Sequence, residues 1–305
     1  EEIAVVYIAE LGQDRLVECV EALEPPLPRQ HKWVLLVSTM FGCPVGCAMC
    51  DAGGFYEGKL SKEEIFAQID YLIRKRYPDG RVPVEKFKIQ FARMGEPALN
   101  PAVLSVLEEM PRRYEVPGFM PSISTIAPRS AEGFFNRLLE IKQAQYAGGR
   151  FQFQFSIHTT DERLRDEIIP VKKWSFAQMA AYGERFYAAG DRKITLNFAL
   201  AQGNPLDAGV LLQHFDPQKF LIKITPLNPT HRAQSNGLVS QIDPWQTQED
   251  KIVLALRDAG YQVILSIGEV EENHIGSNCG QYVLSHLRHN QSIQDGYTYP
   301  VQAAT

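Results

Sequence analysis

Between residues 34 and 267, short apolar runs alternate with amphipathic stretches of helical length, and this alternation constrains the fold of the 305-residue chain more than any other feature. Runs at 34–38, 87–92, 119–126, 151–157, 193–200 and 220–225 read as strands, with 263–267 as a short last one. Helices are expected at 61–76, 101–114, 131–145, 175–189, 206–214 and 246–259. The first is marked by a capping box, Ser61 with Glu64 three residues on, ahead of Ile65, Ile69 and Leu72. Apolar strands joined through helices form parallel sheets, because a parallel connection needs a long crossover. Ahead of them, residues 3–9 and 15–20 around Gly12 suggest a hairpin. The expectation is an α/β chain: an N-terminal β-hairpin extension (1–30), a partial (β/α)6 TIM-like barrel (31–282) and a C-terminal tail (283–305).

In such a barrel reactive groups gather at the C-terminal ends of the strands. There the first strand is followed by Ser38-Thr-Met-Phe-Gly-Cys-Pro-Val-Gly-Cys-Ala-Met-Cys50, with Cys43, Cys47 and Cys50 in a C-x-x-x-C-x-x-C spacing. Three thiolates in one short loop can meet on one iron-sulfur cube and leave its fourth iron open. Zinc is the competing ligand reading, but a structural zinc needs four ligands and no second Cys pair is present. A disulfide framework fits worse, since the 305 residues hold only 5 Cys and no N-terminal apolar signal segment. Cytoplasmic placement is therefore expected. No apolar run is long enough to span a bilayer, so no membrane partner is expected. A net charge of −5 weighs against a phosphate-binding surface without excluding a local basic patch.

The other strand ends carry polar or glycine-containing turns: Met94-Gly-Glu-Pro-Ala-Leu-Asn100, Ser122-Ile-Ser-Thr125, Ser156-Ile-His158 and Thr225-Pro-Leu-Asn-Pro229. With Leu164-Arg-Asp-Glu-Ile-Ile-Pro170, Asn278-Cys-Gly-Gln281 and the cysteine loop, these ordered motifs run over most of the chain. In that order they resemble the radical S-adenosylmethionine (SAM) enzymes, and within them the RlmN/Cfr class that methylates adenine in ribosomal RNA. The resemblance implies the radical SAM type of partial barrel, with Cys43, Cys47 and Cys50 holding one 4Fe-4S cluster. It implies that Gly95 and Glu96 meet the methionine ammonium of SAM, which suits a carbonyl and a carboxylate because an ammonium only donates. Ser124, Ser156, Ile157, His158 and Asn228 match further SAM-lining positions. Cys279 matches the thiol that takes a methyl group from one SAM before a second is cleaved reductively, so two SAM per turnover and an electron donor such as flavodoxin or ferredoxin are implied.

The chain departs from this class at Leu36, seven residues before Cys43, where the RNA methylases carry a second cysteine that helps release the covalent product adduct. Leucine cannot exchange with a disulfide. Cys19, in an apolar strand-like run, reads as a packing residue. Ahead of Cys279, Gly268-Glu-Val-Glu-Glu-Asn-His-Ile-Gly276 is acidic where the RNA enzymes are basic. On these grounds the expected substrate is a small aromatic or heteroaromatic molecule methylated at an sp2 carbon by way of Cys279. RNA adenine methylation is the alternative. A non-catalytic cluster- or SAM-binding module is a third reading, disfavoured by the complete set of motifs.

Overall fold

The computed structural model describes residues 3–12, 15–243, 251–267 and 283. Its elements follow the alternation. Strands β1 (Ala4–Glu10), β2 (Leu16–Ala22), β3 (Lys32–Val37), β4 (Met40–Gly42) and β5 (Tyr56–Lys59) precede helix α1 (Lys62–Arg76). Next come β6 (Lys86–Phe91), α2 (Ala102–Arg113), β7 (Phe119–Thr125), α3 (Glu132–Gln145), β8 (Gln152–Ser156), α4 (Glu162–Ile168) and α5 (Phe176–Phe186). The chain continues through β9 (Ile194–Leu200), α6 (Ala208–Leu212), β10 (Phe220–Pro226), α7 (His231–Ser235), α8 (Lys251–Asp258) and β11 (Val263–Leu265). The capping box is present: the Ser61 hydroxyl accepts the Glu64 N–H, and Glu64 accepts the Ser61 N–H. Ser175 and Gln178 repeat it at α5.

Among the described residues nine strands form one sheet in the order β1-β2-β3-β6-β7-β8-β9-β10-β11. The β1–β2 hairpin pairs antiparallel with the edge of β3, so the N-terminal extension continues the barrel sheet. From β3 to β11 every neighbour is parallel, and the short β11 makes a seventh parallel strand. One face is apolar throughout: Trp33, Leu35, Phe87, Ile89, Phe153, Phe155, Leu196, Phe198 and Ile222 share a core with the helices. On the other, β6 presents Lys86, Lys88 and Gln90 in alternation with buried Phe87, Ile89 and Phe91. That second face is the lumen.

The sheet is curled. Lys223 on β10 perturbs Lys32 on β3, although five strand steps separate them in the sheet order. At ~4.8 Å per step a flat sheet would hold them ~24 Å apart, well beyond a screening length of ~10 Å. An influence over that separation fits a concave sheet, as in a partial barrel.

Three features have weak sequence signals. Helices α4 and α7 are too short for a clear periodicity, though Asp161 and Thr230 cap them through their side chains. The β4–β5 hairpin is invisible as a pattern, because its pairing brackets the cysteine loop.

Candidate active site at the rim of the half-barrel

The cysteine loop is closed at its base by β4 and β5, and the Cys43 N–H donates to the Phe55 carbonyl (2.9 Å). Gly42 is required there. Its φ is +75°, and an added Cβ would lie 2.1 Å from the Phe55 carbonyl oxygen. Helices α4 and α7 grip the rest of the loop. The Ala48 N–H donates to the Ile168 carbonyl (2.9 Å), the Thr230 hydroxyl to the Met49 carbonyl (2.7 Å), and Asn236 Nδ2 to the Ala48 carbonyl (2.7 Å). Arg232 donates to the Cys47 and Gly46 carbonyls (3.2 and 3.1 Å), while Asp51 accepts the Arg232 and His231 N–H groups (2.8 and 3.2 Å). These bonds hold the loop backbone in one shape whatever the thiols carry.

Two of the thiols share one apolar shell. Cys43 and Cys47 pack against Val45, Met49, Ile126, Ile168, Ala201 and Leu227. Burial pushes Cys43 up to about 12 and Cys47 well above the usual thiol range, and for each the next contributor is the neighbouring Cys50. Thiols that raise one another's pKa face a common space, and a metal centre between them would stabilise their thiolates. Among the described residues no three His, Cys, Asp or Glu side chains converge as on a single ion. A donor set of three thiols in one loop suits a 4Fe-4S cube with one iron left open. The loop therefore fits the cluster.

Beside the loop stands the Gly95-Glu96 turn. The Thr39 and Met40 N–H groups donate to the Met94 carbonyl (2.8 and 3.2 Å), pressing the turn against the strand that leads into the loop. At Gly95, with φ +96°, a Cβ would lie 2.6 Å from Met40 Cβ and 2.8 Å from Thr39 Oγ1. Glu96 is 5% exposed. It accepts from the Thr125 hydroxyl (2.5 Å), the Ile126 N–H (3.0 Å) and the Ala98 N–H (3.0 Å). Burial raises its pKa to about 7 even though these three bonds pull it down. Near pH 7 it is held between its charged and neutral forms.

The remaining expected residues follow the strand ends. Ser124 accepts from Gln154 Nε2 (3.2 Å) on the lumen face, and Ser156 ends β8. His158 has φ +68°, and its Nδ1 accepts the Ala199 N–H (3.0 Å), which leaves the proton of the neutral ring on Nε2. Burial first and Arg165 second lower its pKa to about 4, so the ring is neutral near pH 7. The Ile157 side chain belongs to the apolar core, so this residue meets the rim only through its backbone. Asn228 follows β10, and its carbonyl accepts the Thr230 N–H (2.8 Å). Cys279 and the acidic segment 268–276 lie outside the described residues.

Sequence reasoning missed a buried latch. The Glu18 carboxylate on β2 accepts two bonds from Arg93 (3.0 and 2.6 Å) through one oxygen and the Val283 N–H (2.7 Å) through the other. Arg93 sits two residues before Gly95, and Val283 four residues after Cys279. Local pattern could not pair residues 75 and 265 positions apart. Asp51 and Arg232 were missed for the same reason.

This architecture, a curled parallel sheet with a three-cysteine loop after its first parallel strand and a Gly-Glu turn after the next, is that of the radical SAM enzymes. The fold overlays on a radical SAM methyltransferase from Sphaerobacter thermophilus with a TM-score of 0.63 at 20% identity, covering 91% of this chain and 76% of that one. It overlays on Streptococcus suis SuiB bound to S-adenosylmethionine with a TM-score of 0.50 at 14% identity, covering 77% and 50%. No family profile matches the chain. In sequence it is 28% identical over 287 residues to a probable dual-specificity RNA methyltransferase RlmN of Desulfitobacterium hafniense, covering 90% of this chain and 74% of the relative. It is 27% identical over 204 residues to the dual-specificity RNA methyltransferase RlmN of Helicobacter hepaticus, covering 65% and 53%. The chain is a divergent RlmN/Cfr-like member of the radical SAM methyltransferases, enzymes that work with a 4Fe-4S cluster and SAM.

Proposed function

We propose that the chain methylates an sp2 carbon of adenine in RNA and carries the methyl group on Cys279. The observation that carries this reading is the similarity, along 90% of the chain, to a protein described as a dual-specificity RNA methyltransferase. Cys43, Cys47 and Cys50 hold the cluster, and Gly95 and Glu96 take the methionine ammonium. Ser124, Ser156, the Ile157 backbone, His158 and Asn228 line the rest of the SAM pocket. When bound, the cluster and SAM supply the methyl group and the one-electron chemistry that activates it. The Cys279 thiolate accepts the methyl as a thioether and presents it to a carbon too electron-poor to attack SAM directly. A one-electron donor of the flavodoxin or ferredoxin kind is the partner this scheme needs.

The relatives favour RNA over the small-molecule substrate expected from the sequence. That expectation rested on Leu36 and on Glu269, Glu271 and Glu272; the three glutamates lie outside the described residues, whereas the described lumen face carries Lys32, Lys86 and Lys88. Leu36 packs half-buried beside Ala4, Val20, Ala22 and Val34. Cys19 does not replace the missing thiol: it is 1% exposed in the main core, and burial pushes it up to about 12. Adduct release therefore follows a route without a disulfide to position 36.

The test uses anaerobically reconstituted enzyme, methyl-labelled SAM and RNA. Label is expected first on the Cys279 peptide and then on adenine. A Cys279 peptide without label sinks the relay; label on Cys279 that never reaches RNA sinks the RNA substrate.

No helix among the described residues is long and apolar enough to cross a membrane.

A further inference from the structure

Two loops at the rim of the half-barrel are joined beside the cysteine loop. The loop after β7 meets the loop between α4 and α5 through an antiparallel bridge, Pro128 with Lys173. On one side of the bridge the Arg129 N–H donates to the Lys172 carbonyl (2.9 Å), and on the other the Trp174 N–H donates to the Ala127 carbonyl (2.9 Å). Arg165, 2% exposed, forks between the same two segments, donating to the Trp174 and Ile126 carbonyls (2.8 and 3.2 Å). The pairing sets Arg129 directly opposite Lys172, a placement that holds Cβ atoms ~5 Å apart. Like charges in that position repel and cost stability. Their neighbours are paired, Lys173 with Asp166 (2.5 Å) and Arg163 with Glu167 (3.8 Å), but neither Arg129 nor Lys172 has a carboxylate against it among the described residues.

The two cations edge a groove of about 410 Å³. Pro44, Leu99, Pro128 and Val171 give it an apolar lining, Ser130 adds a hydroxyl, and no Asp or Glu side chain lines it. Its walls grow out of the reactive rim. Pro44 follows Cys43, Leu99 lies three residues beyond Glu96, and Ile126, whose N–H Glu96 accepts (3.0 Å), leads into Pro128. A volume near the lower end of the ~300–1,000 Å³ typical of small-molecule sites suits one nucleotide rather than a duplex. Apolar lining under two fixed cations matches the two halves of a nucleotide: base and ribose carbons rest on the lining while phosphate oxygens accept from the guanidinium and the ammonium. An uncharged ligand would leave the two cations opposed.

We propose that this groove is where single-stranded RNA docks, with Arg129 and Lys172 holding one backbone phosphate beside the adenine that is methylated. The groove and its cation pair stand on geometry alone; RNA as their occupant rests on the methylase reading. Phosphate contacts position a strand without reading its sequence, so these two residues set the register of the target base against the cysteine loop. The net charge of −5 does not oppose this, because the field a phosphate meets is local.

Fluorescence-anisotropy titration of the cluster-loaded enzyme with a short adenine-containing single-stranded RNA, at several salt concentrations and without reductant, reads docking apart from turnover. Arg129→Gln/Lys172→Gln gives up one phosphate, so the slope of log affinity against log salt is expected to fall by ~0.7 and binding to weaken roughly fivefold near ~0.1 M salt. The same charge removed at the foot of the sheet, by Arg150→Gln/Arg192→Gln just ahead of β8 and β9, is expected to leave affinity within roughly twofold, because exposed charges beyond a screening length count for little. Melts guard against misfolding: the rim variant is expected to melt at or above the wild-type temperature, since it loses a repelling pair, and Lys172→Gln alone to lose part of the affinity. RNA binding unchanged in the rim variant, equal loss in both double variants, or adenosine 5′-monophosphate bound as tightly as the RNA overturns the proposal. So does a rim variant that keeps RNA and loses flavodoxin instead, which gives the groove to an acidic redox protein. Rim-dependent RNA binding with no methyl label on Cys279 sinks the methylase reading alone; label on Cys279 with RNA binding unchanged in the rim variant sinks the groove alone.

Discussion

Glu18→Met takes the Glu18 carboxylate from the buried Arg93 guanidinium and the acceptor from the Val283 N–H. Both partners of the ion pair are almost fully enclosed, with side chains 1% and 0% exposed, so water cannot replace the lost carboxylate. Removing one member of such a pair costs ~3–5 kcal/mol, and the orphaned Val283 N–H is part of that loss at ~1–3 kcal/mol. The double variant Glu18→Met/Arg93→Met removes both charges of the pair together and still leaves the Val283 N–H without the Glu18 acceptor. Its expected loss is therefore ~1–3 kcal/mol, with a coupling between the two sites of ~2 kcal/mol or more. Urea unfolding of wild type, both single variants and the double variant measures this directly. In a melt the single variant should lose at least ~6 °C, taking ~2 °C per kcal/mol for a large domain. If the two losses simply add, or Glu18→Met costs under ~1 kcal/mol, the buried latch does not hold this fold together. A loss of Cys279 labelling in Glu18→Met at a temperature where the protein stays folded would show that the latch also positions the C-terminal segment.

Gly95→Ala places a Cβ against Met40 and Thr39 at a φ of +96°, and is expected to abolish SAM binding or folding, read by SAM titration beside a melt. Glu96 has a folded pKa raised to about 7 against an unfolded value near 4.5, so the folded state holds the extra proton. Its contribution to stability is full below about pH 4.5 and lost as pH rises through 7; Glu96→Gln should flatten that fall while weakening SAM at least tenfold, because a cation loses its counter-charge. His158 has a folded pKa lowered to about 4, so stability present above about pH 6.5 should drain away as pH falls to 4. His158→Asn keeps an acceptor for the Ala199 N–H, tolerates positive φ and removes that acid-sensitive window in pH-dependent melts.

Alternation of apolar and amphipathic segments was enough to read the half-barrel from the chain, because burial of one strand face and one helix stripe is a periodic, local property. The Ser61–Glu64 box and the glycine turns were legible for the same reason: a cap or a positive φ is decided within a few residues. So were Cys43, Cys47 and Cys50, whose spacing is itself the signal. Tertiary structure alone decided what surrounds them. It brought Asp51 to the start of α7, Arg232 to the cysteine loop, Thr125 to Glu96 and Arg93 to Glu18, pairings made by strands and loops far apart in sequence. It also decided the charge of the interior. Lys32, Lys86, Lys88 and Lys223 look like scattered surface residues in a chain of net charge −5, and only the curl of the sheet turns them toward one another. Charge is summed over space rather than sequence, so composition described an acidic protein while the curled, open sheet gathered lysines on its inner face.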